Sequence, residues 1–381
     1  MNTLNLADVL EIGLFDAATD ELITRIEDGE LLSTDNLPAL SDLTIAAILP
    51  GSGTPYKEAE SAFIDFDNGD TTRTENSEPF ALFGDRGGDF FVGDGIEVGE
   101  HTIEFNLFSE DDLQGNSLGT ISRNFEIVEA VEPPPNTAVL SGTGDIAGIV
   151  ELFRDVVDGG GVNNGNEAGS QGDGFREINW DGAAVPFNMP ANFFNNPNPP
   201  VNGLPRGVEF DTESAISVFG VSNPIFTADP FFGDDEFDTL NPGYPEEFAT
   251  FSSPRLFSPL DSNVMTVEFV EPGVFDKNGD PVSAPVSGFG AIFTDVDLPD
   301  STKLEFFDGV GDLLFSQYVE PDPQGLSFAG VAFDEPLLAK VRITSGTTPL
   351  IQGLDDNPGK GVDIVAMDNF IYGEPIVPAL V

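Results

Sequence analysis

"GFREINWDG", Gly174 to Gly182, and the closing "VDIVAMDNFIYGEP", Val362 to Pro375, are the stretches on which the fold turns. The first holds the only tryptophan of the chain, Trp180, among charged and amide groups. In the second, Ile364, Ala366, Phe370 and Tyr372 are spaced to alternate with polar neighbours over much of its length, as in a buried strand. Together they read as the two ends of one β-sandwich domain. Neither carries a catalytic signature.

Outward from these stretches, the composition bounds the rest. The chain has 381 residues, 40% of them apolar and 34 of them Phe, which is ample for packed cores. Its 42 Gly and 30 Pro follow no repeating period, and uninterrupted helical patterning is scarce, so many strands joined by tight turns are expected. The fold class read from this is all-β: two β-sandwich domains, Ig-like then a larger jelly-roll-like one, with one short helix near 147–157. The divisions are 1–130, a Pro-rich linker over 131–137, 138–376, and a tail over 377–381.

Charge excludes several partners. There are 67 acidic residues against 14 Lys and Arg, a net of -53. Residues 1–132 hold 29 of the acids and five of the bases, so the acidity is spread along the chain and is not an acidic tail. Such a surface repels phosphate backbones and anionic lipid, which argues against nucleic acid and membrane insertion. Solubility, a high-salt habitat and weak divalent-cation binding all fit it. The absence of Cys removes disulfides, thiol catalysis and Cys-ligated metal sites. "MNTLNLADVLEIGLF" lacks a basic leader with a continuous apolar core, so no signal peptide is visible. The apolar run Leu43 to Leu49 is far shorter than the ~20 residues that span a bilayer.

In chain order, "IGLFD", "LITRIED", "DLTIAAIL" and "SAFIDFD" read as strands, with a turn over Ala17 to Asp20. Asn68-Gly69 supplies the positive φ angles of a tight hairpin. "HTIEFNLFS" and "ISRNFEIVE" read as the last antiparallel pair, joined by a polar loop from Glu110 to Gly119. About seven strands in some 120 residues match the size of an Ig-like sandwich. "EAVEPPPN", Glu129 to Asn136, is a semi-rigid linker. In "AGIVELFRDVV", Ala147 to Val157, one helical face carries Ile149, Val150, Phe153 and Val157. A Pro/Asn-rich passage over Pro190 to Pro205 is expected at the surface. Strand patterns resume at "RGVEFDT" and "AISVFGV" and run to "DIVAMDNFIYG", eight or so in all, which suits a jelly roll.

Two resemblances accompany these readings. "FDAATDELITRIEDG", "RTENSEPFALFGD" and "GEHTIEFNLFS" resemble the Ig-like modules of multidomain secreted bacterial proteins, which implies a spacer or adhesive unit. "NNGNEAGSQGDGFREINWDG", "LPRGVEF", "FSSPRLFSPLDSNV", "VSGFGAIFTDVDLPDSTKLEFFD", "LSFAGVAFDEP", "KVRITSG" and "DIVAMDNFIYGEP" resemble a family of secreted bacterial β-sandwich proteins of unassigned activity. That resemblance implies an extracellular or cell-surface domain.

Candidate chemistry is thin. His101, the sole histidine, lies in a strand pattern, and no Gly-x-Ser-x-Gly elbow accompanies it. Glu177 and Asp181 flank Trp180, the trio a carboxylate-based glycoside-active enzyme would use; ion pairing of Arg176, Glu177 and Asp181 beside a core Trp180 is the plainer reading. Calcium is the better ligand, because hard cations take closely spaced carboxylates and carbonyls. Asp276, Asn278 and Asp280 in "DKNGD" alternate as ligands would, but the Gly comes too early for an EF-hand loop and a plain hairpin turn explains them better. "TDVDLPD" and "DDNPGKGVD" are similarly acidic. By analogy with jelly-roll sugar-binding domains, Asp368 falls where a structural calcium ligand lies. Trp180, Tyr244 and Tyr318 are the rings available for stacking on a sugar. The clusters "NFFNN", "DPFFGDD" and "EFFDG" are placed to expose Phe as a protein contact surface. The function expected is a non-enzymatic structural or adhesive protein that self-associates or binds other surface proteins. A calcium-dependent carbohydrate-binding module that takes polysaccharide is the alternative.

Overall fold

A computed structural model of the chain describes residues 11–26, 28–34, 37–48, 59–129, 133–182, 185–196, 203–212, 217–222 and 236–377. Residues 1–10 of the N-terminal stretch, residues 130–132 at the start of the linker, "DPFFGDD", parts of "AISVFGV" and of the Pro/Asn-rich passage, and all of the tail but Val377 lie outside the described residues. Two compact units emerge, one of Met1–Val131 with Gly359–Gly361 and one of Glu132–Pro358 with Val362–Val381. Both are β-sandwiches, and the chain is all-β apart from short helices.

The first unit contains β1 (Glu11–Asp16), β2 (Glu21–Arg25), β3 (Glu30–Ser33), β4 (Leu43–Ile48), β5 (Ser61–Phe66), β6 (Thr71–Glu75), β7 (Phe80–Ala81), β8 (Gly99–Glu110) and β9 (Gln114–Val128). One sheet runs β2-β1-β4-β7 and the other β3-β9-β8-β5-β6. Alternation in the sequence places Ile12, Leu14, Ile45 and Ala47 of one sheet against Ile64, Phe66, Ile103, Phe105 and Ile127 of the other. The expected Asn68-Gly69 hairpin is present, with Asn68 at φ 54° and Gly69 at φ 102° between paired Phe66 and Thr71. The loop expected over Glu110 to Gly119 is mostly strand: β9 begins at Gln114, opposite Glu110. Residues 114–117 are exposed, so no apolar alternation marked them, and backbone pairing extends the hairpin there. Strand β3 lies parallel to β9, a ladder that sequence alternation does not reveal.

The second unit contains β10 (Ala138–Thr143), α1 (Ala147–Val156), β11 (Phe175–Ile178), β12 (Asn188–Met189), β13 (Val208–Thr212), β14 (Phe219–Val221), α2 (Tyr244–Glu247), β15 (Phe257–Pro259), β16 (Val264–Phe275), β17 (Pro281–Ser283), β18 (Gly288–Val296), β19 (Lys303–Phe307), β20 (Leu313–Tyr318), β21 (Asp322–Ala332), β22 (Lys340–Thr344) and β23 (Ala366–Gly373). One sheet has the order β10-β21-β18-β23-β15-β14-β12, with β11 also on β23; the other has β13-β16-β22-β19-β20, with β17 on β16. Fourteen strands are described where eight or so were expected; among the additional ones, β12, β15 and β17 are two or three residues long, too short to show a period.

The central strands β18 and β23 are buried along their whole length. One face of their sheet meets the second sheet, with Phe289 and Phe370 packed among Phe210, Val267, Leu304, Phe306 and Ile343. Against the other lies α1, whose Val150 and Phe153 contact the cluster of Ile292, Phe328 and Ile371. Close approach requires glycine here: a Cβ on Gly330 would stand 2.9 Å from both the Gly290 Cα and the Phe153 ring. The alternation read in the closing stretch therefore does not separate core from solvent, because both faces of β23 are covered and Asp368 and Asn369 are buried with their apolar neighbours.

Candidate functional site

The two stretches that open the sequence reading pair directly: β11 lies antiparallel to β23, with Arg176 opposite Tyr372 and Ile178 opposite Phe370. Successive β11 side chains point to opposite faces. Glu177 faces α1 and accepts hydrogen bonds from Arg154 Nη2 at 2.6 Å and Asn369 Nδ2 at 2.5 Å. Arg176 points the other way, fully buried, and its Nε and Nη2 donate to Glu374 at 2.8 and 2.7 Å. Its remaining donors reach the carbonyls of Gly165, Glu167, Gly169 and Pro205. Glu374 also accepts from Asn164 Nδ2 and the Gln171 amide. The anticipated mutual pairing of Arg176, Glu177 and Asp181 is thus replaced by separate pairs. β-strand geometry sends Arg176 and Glu177 to opposite faces.

Trp180 is 1% exposed. Its ring stacks on Phe257 with centroids 4.0 Å apart and 4° between planes, and Phe194 and Phe370 meet it edge-on. Its Nε1 donates to the Asp368 carbonyl at 2.7 Å, which satisfies the one polar atom of the ring. A sugar has no face of this ring to stack on, so Trp180 is a core residue. Tyr244 is equally buried, and its hydroxyl donates to the Leu354 carbonyl; burial pushes the phenol up to about 12. Tyr318 lies on β20 with Lys303 Nζ 5.6 Å from its ring centre. The clusters "NFFNN" and "EFFDG" do not expose their rings either: Phe193, Phe194, Phe306 and Phe307 are all buried. Each forms part of the sandwich or of its aromatic packing, and the flanking Asn195 and Glu305 are buried beside them.

Asp181 is half-buried, and burial raises its carboxyl although the Arg255 amide donates to Oδ1. Arg255 itself donates to the carbonyls of Gly182 and Val185, holding the turn after Trp180. Asp368 Oδ2 accepts from the Phe251 and Ser252 amides, and Oδ1 from Ser252 Oγ. Burial still pushes its carboxyl up to about 7. Those donors occupy the oxygens a calcium ion would need. In "DKNGD", Asp276 Oδ1 accepts the Asn278 and Asp280 amides at 2.7 and 3.0 Å, and these bonds hold its carboxyl below the usual range. Asn278 and Asp280 therefore complete a hairpin turn around Asp276. His101 has Nδ1 on Asp67 and Nε2 on the Glu97 carbonyl, and its ring stacks on Phe66.

Folding joins the other two acidic segments, "TDVDLPD" and "DDNPGKGVD". One carboxylate oxygen from each of Asp297, Asp356 and Asp363 lies within 4.8 Å of the others. Asp297 follows β18 and Asp363 precedes β23, neighbouring strands of one sheet, which is why residues 66 apart in sequence meet. Asp363 is fully buried; its Oδ2 accepts from the Asp297 and Leu298 amides and from Ser301 Oγ, while its Oδ1 has no hydrogen-bond partner. Asp295 sits at φ 64° in a bulge of β18, 1% exposed, with Oδ1 on the Gln324 amide and Oδ2 unpartnered. Burial is the largest cause raising all four carboxyls, and carboxylate neighbours add to it; Asp295 is pushed up to about 7 and Asp363 to about 6. Among the described residues none of the four forms an ion pair with Lys or Arg. Spacing alone showed two acidic loops; their meeting is a property of the sheet order.

No family model matches the chain, and no curated protein matches it. Among solved structures, the chain aligns with a two-domain protein of unknown function from Bacteroides fragilis NCTC 9343 over 95% of each chain, at 8% identity and a TM-score of 0.22. Among the described residues no helix is long and apolar enough to cross a membrane.

Proposed function

We propose that this chain is a non-enzymatic structural or adhesive protein of the bacterial cell surface or extracellular matrix, and that copies associate through a free sheet edge. The observation that carries this reading is β20, "LLFSQY". Among the described residues it is the outermost strand of its sheet, with β19 as its strand neighbour, and all six residues are partly exposed. It contains no charge in a chain where 21% of residues are charged. Soluble proteins normally guard such an edge with Lys, Pro or a bulge, since its unpaired amides and carbonyls template another strand; β20 has one irregularity, at Leu314, but neither Lys nor Pro. A net charge of -53 opposes association at low salt, so pairing of copies requires screened conditions. The internal commitment of Glu177, Asp181 and Trp180 supports a load-carrying fold over a glycoside-active enzyme or a sugar-binding platform.

Sedimentation velocity across a concentration series at high salt tests this. Oligomers are expected for the natural chain and their loss in Ser316→Lys, which adds a charge to the edge beside Glu305. A chain that stays monomeric throughout overturns the reading.

A further inference from the structure

We propose that Asp297, Asp356 and Asp363, with Asp295 beside them, hold one hard divalent cation, calcium by its chemistry. The three carboxylates offer oxygens only, within 4.8 Å of one another. Calcium takes oxygens at about 2.3–2.6 Å, so ligands on opposite sides of one ion stand roughly 4.6–5.2 Å apart, whereas the smaller magnesium shell spans only about 4.0–4.2 Å. Oxygens within 4.8 Å of one another are close enough to share one such ion.

Acidic groups crowd many protein surfaces without a metal, and what distinguishes this cluster lies in the interior. Asp363 is 0% exposed and Asp295 1% exposed, and each keeps one oxygen without a hydrogen-bond donor. A buried acceptor left unpaired is costly, and several carboxylates buried together repel one another as well. Neither cost is offset by an arginine or lysine ion pair on these residues among the described ones. A bound cation removes both at once. The protein has already oriented the ligands: Asp363 Oδ2 is fixed by the Asp297 and Leu298 amides, which leaves Oδ1 for the ion, and the Ile364 amide fixes Asp356 Oδ1 at 2.9 Å. The ion would clamp the turn after β18 to the loop that enters β23. This inference is independent of the edge pairing proposed above.

The test is calorimetric titration of calcium chloride into the chelator-treated full chain in 0.15 M NaCl, with thermal unfolding alongside. One site per chain is expected above the diffuse uptake of a -53 surface. At one hundred times Kd the folded-to-unfolded ratio rises about 100-fold. Asp356→Asn and Asp297→Asn each lose the stoichiometric step, yet unfold in chelator no earlier than the natural chain, because each removes a repelling charge. Glu335→Gln, at an exposed acid, keeps the step. The proposal is overturned if calcium uptake is the same weak binding in all four proteins, or if NaCl at matched ionic strength gives the same stabilisation.

Discussion

At the scale of single residues, the second sandwich is tied together by polar groups that have no contact with solvent. Arg176 and Glu374 are both fully buried, with every donor of the guanidinium engaged. Removing one member leaves the other charged and unpaired, so Arg176→Met is expected to cost about 3–5 kcal/mol in urea unfolding, and the double variant with Glu374→Met much less. Asp368 gives a pH signature. Its carboxyl is pushed up to about 7 in the fold and titrates near about 4 when unfolded, so the folded chain holds an extra proton between those values. Stability contributed by Asp368 is therefore full below about pH 4 and is lost as pH rises through about 7. Asp368→Asn should flatten that part of a stability profile measured by denaturant midpoints from pH 4 to 8.

At the scale of elements, α1 and the paired strands β18 and β21 define how tightly the layers close. Amphipathic spacing predicts α1 at 147–157, and it forms over Ala147–Val156 because Val150 and Phe153 have a sheet face to bury against. Phe153 meets the Phe328 ring with centroids 5.2 Å apart, directly over Gly290 and Gly330. A methyl group at position 330 has no space, so Gly330→Ala is expected to lower stability by about 1–3 kcal/mol. Chemical unfolding measures it, and an unchanged midpoint would mean that the helix can lift without cost. Short β-strands and α2 escape a sequence reading for a related reason: their conformation is imposed by neighbours, and the residues in Tyr244–Glu247 include a proline and two acids with no period of their own.

At the scale of the whole molecule, 67 acidic residues against 14 Lys and Arg accompany sandwiches whose interiors are filled mainly by aliphatic and phenylalanine side chains. Self-repulsion of that surface opposes compactness, and screening within a Debye length of about 10 Å at 0.1 M salt relieves it. The unfolding temperature should rise between 10 and about 150 mM NaCl, as followed by calorimetry; a flat response would place the charges too far apart to interact. Alternation, hairpin turns and the helical face are local patterns, and they were enough to determine an all-β chain of two sandwiches, the Asn68-Gly69 hairpin and α1. Which polar groups meet was decided by tertiary structure alone. Strand order sets Arg176 on Glu374 across 198 residues, stacks the core ring of Trp180 on Phe257, and brings Asp297 to Asp363. Spacing along a chain fixes which face a side chain takes, but only the pairing of distant strands fixes what waits on that face.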